Sequence, residues 1–238
     1  MLQPYRNESP AWISAGVDVQ ARIAAFIRSV YAWMFAGLVL TAMAAAWVYY
    51  SKPMQQIILR TPGVLFGLII AELALVFWLS FRVQKMAPAT AASTFMVYSL
   101  LNGLTLSVVL FVYTGEAVFQ AFAVTAGTFG AMSIYGLVTK RDLTSWGSFF
   151  FMGLIGIILA SVLNFFLKLP GLSFAISVIG VFVFVGLTAY DTQKLKRYAL
   201  MAEGERVTNF AVIGALALYL DFINLFLMIL RLMGGRRD

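Results

Sequence analysis

Runs of about twenty apolar residues, broken only by short polar stretches, leave this chain one solvent in which to fold. Twenty residues of helix at 1.5 Å each cross the roughly 30 Å of hydrocarbon in a bilayer. Seven such segments can be drawn, near 29–50, 63–82, 89–113, 117–138, 147–167, 171–193 and 209–230. Most breaks are brief: Ser51-Lys52-Pro53, Gly115-Glu116, Lys140-Arg141-Asp142 and Lys168-Leu169-Pro170-Gly171. The longest expected loop runs from Lys194 to Thr208. None has room for a soluble domain, so residues 29–238 are read as one transmembrane bundle. The expected fold class is all-α, a polytopic membrane protein whose first partner is the lipid bilayer. The composition agrees: 62% of the 238 residues are hydrophobic and 11% charged, against roughly 45–50% and about 25% in soluble domains.

Residues 1–28 form an N-terminal cytoplasmic or interfacial segment in this reading. Glu8 and Asp18, and the lack of a compact apolar core before a cleavage site, argue against a signal peptide. From Asp18 on, Val19, Ile23, Phe26, Ile27 and Val30 recur at helical spacing with Arg22 and Arg28 between them, the pattern of a short interfacial helix leading into the first span. The bases orient the chain. With the N-terminus inside, the inner segments hold Arg6, Arg22, Arg28, Arg82, Lys85, Lys140, Arg141, Lys194, Lys196, Arg197 and Arg206; the outer ones hold Lys52, Arg60 and Lys168. Cytoplasmic loops carry such an excess, so the N-terminus is expected in the cytoplasm. The tail, with Arg231, Arg236 and Arg237, falls outside if the last segment crosses fully, and inside if it is re-entrant. Its length favours a full crossing. The net charge of +7 is read as topology and anionic headgroups, with no nucleic-acid partner.

Cysteine and histidine are both absent. That excludes disulfides, Cys/His metal sites and His-based catalytic triads. Proton or cation chemistry must run on carboxylates, hydroxyls and amides. Small residues at four-residue spacing, Ala126 with Gly130, Gly127 with Ala131 and Gly156 with Ala160, are expected at close helix contacts. Of ten acids, three sit in apolar runs, where an ionised carboxylate costs several kcal/mol unless paired, protonated or wetted. Asp221 lies about 12 residues into the last span, roughly 18 Å along its axis, with Asn224 on the same face and Tyr219 on another. Glu72 sits mid-span with no partner on its own helix; Asn102 and Thr105 of the next span are its expected hydrogen-bond partners, which would make it a neutral structural group. Asp191 has two readings: an interfacial pair with Lys194, three residues on, or a functional acid. Arg82 and Asp191 fall at the same side of the membrane, where an arginine–carboxylate contact would make a gate.

Leu218-Tyr219-Leu220-Asp221-Phe222-Ile223-Asn224-Leu225-Phe226 closely resembles the last-helix motif of the Bax inhibitor-1 (transmembrane Bax-inhibitor-motif) family, and Gly186-Leu187-Thr188-Ala189-Tyr190-Asp191-Thr192-Gln193-Lys194 resembles its sixth-helix motif. Lys140-Arg141-Asp142-Leu143 and the acidic second span around Glu72 are also similar, and the likeness runs from about residue 25 to the end. The resemblance implies a seven-helix bundle with the last helix central, wrapped by the other six. It implies that Asp191 and Asp221 form an aspartate pair in a pH-sensitive calcium leak pathway, with Ca²⁺ as transported ion rather than cofactor. It makes Arg82 the nearest match to a basic residue that closes the pathway, offset by about one position, with Glu72 and Asn224 in support. It implies a bacterial inner-membrane location, and an alternative role as an interaction protein modulating a membrane-bound ATP-dependent protease. Two carboxylates sharing a site cannot both ionise cheaply, so such a pair is a pH switch without histidine. Simple counting, however, places Asp191 only about 5–10 Å below the interface and Asp221 about 18 Å deep. No enzyme is expected: aspartate pairs also suit intramembrane proteases, but no Gly-rich sequence follows Tyr190-Asp191 and no second signature is present.

Overall fold

The computed structural model describes residues 11–61, 63–202, 204 and 206–235, with side chains from residue 19 onward. The described residues form α1 (Ala11–Tyr50), α2 (Lys52–Gln55), α3 (Val64–Arg82), α4 (Pro88–Val112), α5 (Gly115–Val138), α6 (Thr144–Leu167), α7 (Pro170–Met201) and α8 (Arg206–Met233), with a π turn after α2 and a 3₁₀ turn after α3. All but α2 are long and apolar enough to cross a membrane. Prolines 53, 88 and 170 fall at helix starts, where a missing N–H costs nothing. Thr114 caps α5, its hydroxyl accepting from the N–H of Ala117 at 3.3 Å.

Two boundaries differ from the sequence expectation. No break separates an interfacial helix from the first span: α1 is continuous through residue 28, because the apolar spacing simply persists and buries Phe26 and Val30 in the bundle. The part of the N-terminal segment before residue 11 lies outside the described residues. The loop expected from Lys194 does not begin there, because the amphipathic stretch Lys194–Met201 carries α7 on for two more turns. Leu195 and Ala199 on that stretch are 1% and 4% exposed, so packing holds the extension in helical form although it is too polar to read as a span.

The last helix is the core. α8 packs against α1, α4, α5 and α7, and is the most buried of the seven long helices. The expected wrapping by all six others is corrected: α3 packs on α4 and α6 on α7, and both stand in an outer layer. α8 also crosses the whole bundle. At its start Asn209 donates to the carbonyls of Val83 and Met86 in the α3–α4 connection, at 2.7 and 2.8 Å; past its end Gly235 accepts from the N–H of Thr114 in the α4–α5 connection, at 2.9 Å. Twenty-eight residues, about 42 Å, span those anchors, so the helix runs the length of the bundle without turning back and is long enough to cross a membrane.

The small-residue contacts fall elsewhere than expected. Around Gly127, Gly130 and Gly156 there is open space. The buried stripe of α5 is instead Ala121, Thr125, Phe129, Ser133 and Gly136. A side chain at Gly136 would run into the carbonyl of Ala189 on α7, and one at Gly103 into the carbonyl of Thr41 on α1. Spacing alone marks small residues in pairs; it does not say which face meets a neighbour.

Candidate functional site

Three contacts set the register of the antiparallel α7–α8 hairpin. Gly180 abuts Met228, Gly214 abuts Leu195, and the rings of Tyr198 and Phe210 stand 5.5 Å apart. On that register Asp221 lies opposite Leu187 and Thr188, and Asp191 opposite Ala217 and Leu218. The two carboxylates are therefore on neighbouring turns, offset by about one pitch, ~5 Å. The extension of α7 closes the apparent gap in depth: Asp191 is ten residues from the end of its helix, well inside the bundle. Asp221 is 4% exposed, and its Oδ2 has no hydrogen-bond partner among the described residues. The charges of Asp191 and Lys194 both reach it.

Lys194 is the cation of this site. Its Nζ stands 3.8 Å from Asp191 Oδ1, and 5.7 and 5.4 Å from the ring centroids of Tyr190 and Tyr198. Ammonium over aromatic faces is favourable, more so away from water. The side chains of Lys194 and Asp191 are 34% and 17% exposed, so the pair is reached from the hairpin end while Asp221 is not. Gln193 fixes the neighbouring loop, its Oε1 accepting from Leu143 N–H at 2.9 Å and its Nε2 donating to Arg141 O at 2.8 Å. In that loop Asp142 accepts the N–H and O–H of Thr144, which holds its carboxyl below the usual range.

The other named residues stand apart. Arg82 lies at the same end of the bundle but is exposed, and among the described residues no ion pair joins it to Asp191, whose basic partner is Lys194. Asn224 donates to the carbonyl of Leu220 on its own helix at 2.8 Å and does not serve Asp221. Glu72 is bound as its sequence position suggests: Thr105 and Asn102 both donate to it, Asn102 at 3.2 Å. The network continues beyond what the sequence showed. The fully buried Tyr219 donates to Asn102 Oδ1 at 3.0 Å and shares a 2.6 Å hydrogen bond with Thr41. A chain of polar side chains thus links α3, α4, α8 and α1, on the face of α8 turned from Asp221. Lys194 was visible beside Asp191 in the sequence; nothing local marks Thr41.

The donor set suits a hard cation: carboxylate oxygens, with neutral hydroxyls nearby and no soft ligand. Among the described residues no group of three or more acidic residues is gathered.

The chain matches the family model described as inhibitor of apoptosis-promoting Bax1 over residues 23–238. It is 49% identical over 224 residues to the inner membrane protein YbhL of Escherichia coli (strain K12), covering 93% of this chain and 96% of that one. An uncharacterized protein of Deinococcus radiodurans is 45% identical over 218 residues, with 91% and 93% covered. An uncharacterized membrane protein of Streptococcus pyogenes serotype M1 is 40% identical over 215 residues, with 90% and 93% covered. With seven long apolar helices, the last of them buried and acid-bearing, and a family match across nearly its whole length, this chain is a multi-pass membrane protein that belongs to the Bax inhibitor-1 family.

Proposed function

We propose that this protein is a pH-sensitive cation leak pathway, with Ca²⁺ as its foremost ion, in which Asp191 and Asp221 are the proton-linked ion site. The observation that carries the reading is the placement of two carboxylates on facing turns of α7 and α8, one reached from the hairpin end and one sealed. The inner membrane of a bacterial cell is its proposed location, after the E. coli relative, with the N-terminus cytoplasmic from the bias in Lys and Arg.

Counting charges gives the mechanism. With one proton shared between the carboxylates, Asp191, Asp221 and Lys194 sum to zero, and α7 and α8 rest together. Loss of that proton leaves two anions against one cation. The carboxylates then repel across one turn, and their oxygens offer a net negative site to a hard divalent ion. Ca²⁺ displaces Lys194, whose loose 3.8 Å pair and exposure let it swing toward water. Next to Asp221 on α8, Phe222 packs against Phe122 and Phe129 of α5 at ring separations of 5.6 and 5.4 Å. Because proton loss creates the cation site, flux rises with pH.

Reconstituted in proteoliposomes, the protein should pass labelled calcium at a rate that climbs with pH. Asp191→Asn and Asp221→Asn should each flatten that climb. Unchanged pH dependence in both variants would refute the mechanism.

A further inference from the structure

At the end of the bundle far from the α7–α8 turn, a cavity of about 710 Å³ opens between the C-terminal end of α6, the start of α7 and the end of α8. Among the described residues its lining holds two cations, Lys168 and Arg231, and no acidic residue. These are among the few bases that break the inside bias of the chain, and the fold brings two of them to one place. We propose that this cavity binds the phosphate group of an anionic membrane lipid.

The polar wall is built to donate. Asn164 Nδ2 donates to Ser173 Oγ at 2.6 Å, and Asn164 Oδ1 accepts from Leu169 N–H at 3.0 Å. With its oxygen already accepting, the Ser173 hydroxyl proton is left for a further acceptor. Ser161 adds another hydroxyl to the lining. Helix dipoles contribute little net field here: the start of α7 is positive by about half a charge, and the nearby ends of α6 and α8 are negative by as much. The two full side-chain charges therefore decide the sign. Lys168 also holds a left-handed backbone, φ 52°, at the end of α6, where glycine is the cheaper choice. A lysine there carries a charge that the turn does not need.

The apolar wall distinguishes a lipid from a free anion. Phe165 and Phe174 line the same cavity and are 75% and 63% exposed. Lys168 stands just past the end of α6 and Arg231 in the last turn of α8, so exposed rings suited to acyl chains lie beside cations suited to a phosphate. A basic pocket between membrane helices with an apolar side matches a phospholipid at both ends. The volume admits a glycerophosphate headgroup.

The test uses the full chain, purified in detergent and titrated with phosphatidylglycerol, phosphatidylcholine or inorganic phosphate, with binding read by native mass spectrometry. Phosphatidylglycerol should be retained over phosphatidylcholine, with the preference falling about fivefold for each charge removed, in Lys168→Gly and in Arg231→Gln. Lys168→Gly is safe for the fold because glycine suits that φ, so its thermal stability should hold while lipid preference falls. Equal retention of the two lipids by the unmodified protein would overturn the proposal. So would an equal loss in Lys140→Gln, which would show that net charge alone selects the lipid. Displacement of phosphatidylglycerol by an equal concentration of inorganic phosphate would overturn the lipid assignment.

Discussion

Asp221 and Tyr219 are two residues apart on one helix and do opposite work. Tyr219 is satisfied on every side, its hydroxyl shared with Thr41 and Asn102 and its ring met edge-on by Phe95 and Tyr98 at 5.8 and 5.7 Å. Asp221 is buried, and its Oδ2 has no hydrogen-bond partner among the described residues. Stability therefore resides in the first, and the proposed proton-linked site in the second. Tyr219→Phe should lower unfolding stability by about 0.5–2 kcal/mol, because Asn102 loses its donor in a site water does not reach. Thermal unfolding in detergent reads this, and the pH dependence of flux should stay as it was. The cost of an acid in hydrocarbon made Asp221 legible in the sequence, and a lone Glu72 with Asn102 and Thr105 on the next span was legible in the same way. The Thr41–Tyr219 link was not, since its partners are 178 residues apart and hydroxyls are common in membrane helices.

The hairpin of α7 and α8 is the element on which the proposed function turns. Hydropathy placed both helices but ended α7 too early, because Lys194, Lys196 and Arg197 look like a loop to any measure of apolarity. Helix propensity and the buried faces of Leu195 and Ala199 decided otherwise. That extension sinks Asp191 to within a turn of Asp221, so the boundary error and the apparent depth mismatch had one cause. The register is open to a direct check because the chain has no native cysteine. Gly180→Cys with Met228→Cys should cross-link on oxidation, since a Cβ at residue 180 meets the Met228 side chain. The cross-linked protein should lose most of its calcium flux and regain it on reduction. Free flux through the oxidised protein would show that α7 and α8 need not part.

At the scale of the molecule, four helices pack directly on α8 while α3 and α6 stand outside them, and α8 carries an anchor at each end and the acid at its middle. Seven long apolar helices were legible from block length. The layering was not, because hydropathy cannot tell a helix facing lipid from one facing helices: α6 and α8 are similarly apolar, yet the first is the least buried and the second the most. An odd number of crossings puts the two termini on opposite sides. With the N-terminus cytoplasmic, a cysteine replacing Lys168 should react with a membrane-impermeant thiol reagent on intact cells, and one replacing Lys85 should not; the reverse labelling would invert the topology. The central claim, that one proton and one cation compete for the Asp191–Asp221 pair, is tested most directly by adding Ca²⁺ to the purified protein in weak buffer and measuring proton release. Linkage between the two ligands predicts release of about one proton per site in the unmodified protein and none in Asp221→Asn. Saturating calcium binding without proton release would contradict it.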